Sequence, residues 1–297
     1  MILIALSVFA LAVFWGFWAV ILGIIGSMSA WTNDISTIWE WSGLGVGLIL
    51  ITMVILFANS SPAENLLRFM TGSRRVIERE KDLLFPMLEE VQEDVKRNCG
   101  YKPKDIKLWV SDEVMPNAWA IGKRTMIISR GLYESAQPDK IKGVMAHELG
   151  HLHAGDSRRL SIAFFLSYFI SIFLWIGTAL TIILKGFSAL KDKEKPGAMM
   201  IVALPLLVMI IIPVYLMRFC SWFINFVLNF AGRKQEYKAD LFAVKCGHGA
   251  GMLSFLDALK DFEFDKMSAT ERMFATHPPV MLRIDEVCKA MGEIDKV

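Results

Sequence analysis

His147 and His151 stand four residues apart in the stretch "VMAHELGHLHAGD", Val144 to Asp156, with Glu148 beside the first of them. In an α-helix, positions i and i+4 lie one above the other on the same face, so both imidazoles can direct a ring nitrogen at one cation. Glu148 is one position on, about 100° round the helix at 3.6 residues per turn. Its carboxylate falls beside such an ion instead of on it, where it can take a proton from a bound water. Zinc suits this chemistry because it keeps an open coordination position and lowers the pKa of bound water to about 7. A third ligand is still required. His153 is too near, since two residues past His151 it points to a different face, and it reads as a surface or packing histidine. His248, in "CGHGAG", sits in a turn without an obvious partner and reads as structural.

The stretch "GRKQEYKADLFAV" offers a better third donor, because Glu236 and Asp240 are again four apart on one helix face. Glu236 can complete a His₂Glu set for one Zn²⁺ per chain. Asp240 can hydrogen-bond the far nitrogen of a ligand histidine, fixing its tautomer and ring direction. Taken alone, Glu236, Lys238 and Asp240 would be solvated helix charges. Opposite a His-Glu-His set, the ligand reading is preferred.

The elements that must position these residues are unusually apolar. Of 297 residues 54% are hydrophobic, with mean hydropathy +0.44. Four runs poor in charge, Ile2–Ile25, Leu44–Ala58, Leu160–Leu184 and Met199–Leu216, predict four transmembrane helices, the first long enough for about 30 Å of hydrocarbon. No basic residue precedes the first run and a second span follows closely, which favours a membrane hairpin over a cleaved leader. The segment Gly26–Gly43 has no Lys or Arg, whereas Arg68, Arg74, Arg75, Arg79, Lys81, Lys96 and Arg97 crowd the chain after the second span. Both termini and the middle segment are therefore expected in the cytoplasm. The "KGFSALKDKEKPG" loop, with Lys185, Lys191, Lys193 and Lys195, opposes that assignment, and the earlier, larger asymmetry decides it.

Net charge is +2, without a basic stripe interleaved with aromatics, so no nucleic-acid partner is expected. Cys99, Cys220, Cys246 and Cys288 are far apart and unpatterned, and are expected as reduced thiols. The predicted organisation is mainly α: an N-terminal hairpin (1–60), a first catalytic part (61–157), a second hairpin (158–220) and a second catalytic part (221–297). Pro62 to Asn98 reads as amphipathic helix, with Leu66, Leu67, Val76, Leu83, Leu84, Leu88 and Val91 inward. The runs "DIKLWVSDEV", "NAWAIG" and "TMIIS" read as a small antiparallel β-meander turning at Gly122-Lys123-Arg124. Asp139 is expected to cap the motif helix near Lys140, a long helix with a kink at Pro213 to run toward Cys246, and two or three helices to follow, broken around "THPP".

"AHELGHLHAGD" followed by "EYKAD" resembles the HtpX-type integral-membrane zinc metalloproteases, relatives of the CAAX-processing membrane proteases. The resemblance covers nearly the whole chain: two spans, motif, two spans, third ligand, helical tail. It implies a zincin-like catalytic domain on the cytoplasmic side of an inner membrane, degrading misfolded or damaged membrane proteins. It also implies that "PNAWAIGKRTMIIS" lines the active-site cleft, where Asn117, Ala118 and Trp119 form an edge to which substrate adds as a strand. In "THPPVMLRID" it makes His277 a helper of the oxyanion and Arg283 a supporting or substrate-facing group. Asp156 matches a recurrent acidic position and also fits a cap of the next helix. The rivals are a CAAX-type prenyl-protein protease, for which the chain is short, and a protease cutting within the bilayer. The charges flanking the motif, among them Asp139, Lys140 and Arg158, argue against the second. A membrane scaffold or chaperone with a structural zinc would have no use for Glu148.

Overall fold

The computed structural model describes residues 7–12, 14–15, 33–103, 105–191, 233–263 and 279–294, with backbone alone over 33–44, 174–175, 177–191 and 261–263. The chain divides into two units: Met1–Phe57 with Ile162–Val227, and Ala58–Ser161 with Leu228–Val297.

In the first unit, helix α1 (Asn33–Ala58) contains the second apolar run. The helix called α6 below (Asp156–Lys191) contains the third. That helix continues through Lys185 to Lys191, so the first half of the expected polar loop is helical backbone. Small apolar contacts knit this unit, such as the edge-on rings of Phe14 and Phe173 at 5.1 Å and of Phe57 and Phe165 at 5.2 Å. Among the described residues no single helix is long and apolar enough to cross a membrane. The pair Gly45–Ala58 and Ser61–Met70 meets the requirement only together, across a bend. The expected run Met199–Leu216, Pro213 and most of Ile2–Ile25 lie outside the described residues.

The second unit begins with α2 (Ser61–Met70), where Ser60 Oγ accepts from the Ala63 N–H at 3.4 Å and Pro62 pre-sets the first turn. Strand β1 (Arg74–Arg75) and helix α3 (Glu78–Cys99) follow, and Gly100 at φ 67° ends the helix in the left-handed region. Val76, Leu84, Leu88 and Val91 turn inward as the periodicity requires, but Leu66 and Leu83 are exposed.

The sheet corrects the expected antiparallel meander. Strands β2 (Lys107–Ser111), β3 (Ala118–Ile121) and β4 (Thr125–Ser129) join β1 in the order β1-β2-β4-β3. The hairpin at Gly122 is antiparallel, with Ala118 opposite Ile128, but β2 runs parallel to β4, with Leu108 opposite Met126. The cause is the "TMIIS" run itself. All five of its residues are buried, and a strand apolar on both faces belongs in the centre of a sheet. The less buried "AWAI" takes the edge.

Helix α4 (Arg130–Ser135) leads to the motif helix α5 (Pro138–Ala154). Its N-cap is Gln137 with Pro138 at the start, so Asp139 sits in the first turn instead of capping it. Gly155, at φ 72°, stops α5, and α6 (Asp156–Lys191) begins at once. Helix α7 (233–243) passes through a π-turn, Val244–His248, into α8 (Gly249–Glu263). Gly247, at φ 93°, makes the change of direction there. Helix α9 (Val280–Ile294) closes the unit, so two described helices flank the "THPP" region. The core joins Leu84 and Val91 of α3, Met126 and Ile128 of β4, Met145 and Leu149 of α5, Leu256 of α8 and Val287 of α9.

Cys99 and Cys246 are joined as a disulfide, with Cα atoms 5.9 Å apart, which corrects the expectation of reduced thiols for this pair. They are 147 residues apart, and only packing of α3 against the π-turn reveals them as neighbours. Cys288 is free and exposed.

Candidate metal centre

Two close approaches set the site. A Cβ built on Gly143 of α5 would lie 2.3 Å from the Met252 backbone nitrogen, and one on Gly251 would lie 2.0 Å from the Asp139 carbonyl oxygen. Helices α5 and α8 therefore cross almost backbone to backbone. Just before His151 and about one turn after His147, Gly150 leaves 3.2 Å between such a Cβ and the Ala239 Cα, which seats α7 against the motif.

This seating brings the predicted donors together. His147 Nε2 and His151 Nε2 are 3.1 Å apart. Glu236 Oε2 lies 3.6 Å from the first and Oε1 3.3 Å from the second. One ligand atom from each of the three lies within 4.8 Å of the others. On the outer side of the first ring, Asp240 Oδ1 is 2.8 Å from His147 Nδ1. The proton of a neutral His147 then belongs on Nδ1, and the Nε2 lone pair is aimed at His151 and Glu236. Two imidazole lone pairs and a carboxylate converging on one point repel unless a cation lies among them. The N₂O donor set fits a divalent metal of the zinc type. Glu148 is buried next to His147 on the same helix, close enough for its charge to act on both His151 and Arg283.

The electrostatics agree with a site prepared for positive charge. Burial disfavours charging His151, yet Asp156 and Glu236 outweigh it and push its pKa up to about 10. A proton and a metal ion compete for the same nitrogen there. Burial would likewise raise the Asp240 carboxyl, but the Arg283 guanidinium and His147 hold it below the usual carboxylate range.

Arg283, expected as a supporting or substrate-facing group, lies behind the two carboxylates. It is 5% exposed and forks onto Asp240, with Nε donating to Oδ2 at 2.8 Å and an Nη to Oδ1 at 2.7 Å. Its other Nη is 3.2 Å from Glu236 Oε2. Instead of pointing outward toward substrate, it clamps the two carboxylates that adjoin the histidines. Asp156 also does more than begin α6: its Oδ2 lies 3.8 Å from His151 Nδ1 while Oδ1 accepts from Arg159 at 3.0 Å. Local sequence held no signal for either arrangement beyond an acidic residue close after the motif.

Asn117, Ala118 and Trp119 lie at the start of β3, the strand at the sheet edge that packs against α5. Asn117 is pinned by its own N–H to Ser129 Oγ at 2.8 Å, and its Oδ1 accepts from the Ala118 N–H at 2.9 Å. His153 stacks on Phe242 at 5.3 Å, away from the donors, and His248 pairs with Asp94 at 3.3 Å. His277 lies outside the described residues.

"Protease HtpX homolog" of Dictyoglomus turgidum is 24% identical over 273 residues, covering 84% of this chain and 83% of that protein. "Protease HtpX" of Chromohalobacter salexigens is 25% identical over 238 residues, covering 72% of this chain and 75% of its own. The crystal structure of S. mikatae Ste24p shares the fold, with a TM-score of 0.53 at 16% identity. The likeness covers 93% of this chain but only 62% of the longer Ste24p chain. The sequence profile of peptidase family M48 matches residues 82–290, a span that takes in both histidines, Glu148, Glu236, Asp240 and Arg283. The chain belongs to peptidase family M48 and is a metalloprotease.

Proposed function

We propose that the protein is a membrane-anchored zinc endopeptidase that cleaves membrane or misfolded proteins in protein quality control. The observation that carries the reading is the convergence of His147 Nε2, His151 Nε2 and the Glu236 carboxylate on one point, with Glu148 one residue from the first histidine. Zn²⁺ held by these three would supply a water of lowered pKa and polarise a substrate carbonyl.

The chain's own residues do the rest. Glu148 takes the proton of the attacking water on its carboxylate and delivers it to the amine nitrogen as the C–N bond breaks. Asp240, fixed by the Arg283 fork, keeps the proton of His147 on Nδ1 and its Nε2 free. Arg283 thus acts as a positioning residue and not as a substrate contact. The side of β3 that pairs with no other strand among the described residues accepts an extended substrate as an added strand at Asn117–Trp119, with main-chain hydrogen bonds setting its register past Glu148. His277 supports the oxyanion of the tetrahedral intermediate.

Membrane anchoring rests on the apolar runs in α1 and α6 and on the likeness to HtpX proteases. The basic residues after Ala58 favour a catalytic unit on the cytoplasmic side of an inner membrane.

Casein cleavage by the purified full-length protein tests the reading. A chelator should abolish it and Zn²⁺ should restore it better than Mg²⁺ or Ca²⁺. Cleavage indifferent to chelation would overturn the proposal.

A further inference from the structure

The apolar residues of α2 are arranged opposite to what a soluble helix requires. Ala63 and Glu64 are its buried residues, while Leu66, Phe69 and Met70 are 43%, 77% and 53% exposed. These three lie at i, i+3 and i+4, so they form one stripe. The helix cannot simply continue an apolar span, because its polar residues are tied to the sheet. Glu64 accepts from the Lys123 N–H and the Thr125 hydroxyl, and the Arg68 guanidinium lies 3.8 Å over the Trp109 ring. A Cβ on Gly122 would strike the Glu64 carboxylate, so the β3–β4 turn closes directly on α2. The helix is thus a fixed ridge of the catalytic unit, two residues after an apolar helix, with its greasy stripe outward.

Beside the first turn of α2 lies a cleft of about 570 Å³ lined by Asn59, Ser61, Glu64, Tyr101, Lys102, Asp105, Lys123 and Arg124. Glu64 is spent on the turn, and Asp105 is the second acidic group. None of Lys102, Lys123 and Arg124 has an ion-pair partner among the described residues. Three cations against two carboxylates leave the cleft net positive next to the apolar stripe.

We propose that α2 and this cleft seat the catalytic unit on an anionic bilayer surface. Leu66, Phe69 and Met70 enter the boundary between headgroups and acyl chains. Lys102, Lys123 and Arg124 take headgroup phosphates. Apolar burial combined with attraction to anionic lipid is how an interfacial helix binds. The seat holds the edge strand β3, which adjoins α2 through Gly122, at a set height over the lipid.

The test uses full-length protein reconstituted in phosphatidylcholine vesicles with or without phosphatidylglycerol. A phospholipid carrying a photoreactive diazirine near the headgroup end of its acyl chain is activated, and adducts are mapped by mass spectrometry. Adducts on the 61–70 peptide in the anionic vesicles are expected. They should fall severalfold in pure phosphatidylcholine and in the Lys102→Ala/Lys123→Ala/Arg124→Ala protein. An absence of lipid adducts on that peptide, or equal labelling in all three conditions, overturns the proposal. The readout is a lipid adduct and not proteolysis, so it stands or falls separately from the zinc peptidase reading.

Discussion

Two clusters in the catalytic unit are built from the same parts, an arginine fork, a buried carboxylate and a third polar partner, and they differ in what they leave open. In the first, Arg74 forks onto Glu80 at 2.9 and 2.7 Å, the Tyr133 hydroxyl donates to Glu80 Oε1 at 2.7 Å, and the Ile77 N–H donates to Oε2 at 3.0 Å. Every approach to the carboxylate brings a proton donor, and the cluster ties β1 and α3 to α4 and, through Arg74, to Asp112 after β2. In the second, Arg283 forks onto Asp240 and reaches Glu236, but the inner side of Glu236 faces two imidazole nitrogens that are themselves acceptors when neutral. A carboxylate surrounded by donors makes a joint. One whose open side faces acceptors makes a cation site.

The sharpest way to break that distinction is at Glu148, which belongs to neither set of ligands. Glu148→Gln should keep the metal content of the purified protein and its melting temperature while casein cleavage falls by about 10²–10⁴-fold, the usual range for a general base. If metal content fell in parallel with activity, Glu148 would be holding the ion, and the division between ligands and base would be wrong.

The two clusters also differ in how far they could be read from sequence. His147, Glu148 and His151 declare themselves because a single helix turn fixes their geometry, and Glu236 with Asp240 repeats that spacing in a second helix. What joined them was a chemical requirement for a third ligand, and the structure brings the three donors together. Arg283 resisted such a reading. It is 43 residues from Asp240, and its direction depends on how α9 packs beside α7, which no local pattern encodes. The strand order failed for a related reason. The short turn at Gly122-Lys123-Arg124 fixes β3 against β4, but the partner of β2 is chosen by which strand is apolar on both faces. The Cys99–Cys246 pair depends in the same way on a contact across 147 residues.

Arg283→Lys should give the next largest effect. An ammonium is a point charge and cannot fork across Asp240 while also reaching Glu236. Metal affinity, measured by competition with a chelator, should fall about 10–100-fold, as for other residues that hold a ligand from behind. Saturating Zn²⁺ should restore most of the activity, since the reacting groups remain. An unchanged affinity, with KM raised instead, would favour the substrate-facing alternative for Arg283 over the supporting one.

The smallest effect belongs to the closed cluster, and it appears in stability. The Arg74 fork holds the Glu80 carboxyl far below the usual carboxylate range, to about 2, against the cost of its burial. A carboxylate whose pKa is depressed by folding stabilises the fold at every pH above its ordinary value of 4.5. That contribution fades as pH falls from there and is gone once pH passes below about 2. The sign follows from proton uptake, because between those values the unfolded chain binds a proton that the folded chain excludes. Glu80→Gln should therefore lower the melting temperature at pH 7 and flatten its decline on the acid side, with bound metal at pH 7 unchanged. Tyr133, whose hydroxyl is pushed up to about 12 by burial and by its bond to Glu80, contributes one donor to the same carboxylate. Tyr133→Phe should cost about 1.5–3 kcal/mol, the net worth of one hydrogen bond to a charged group, and leave the acid limb in place. If either substitution released metal at pH 7, the two clusters would be energetically coupled, and the separation of joint from cation site would fail.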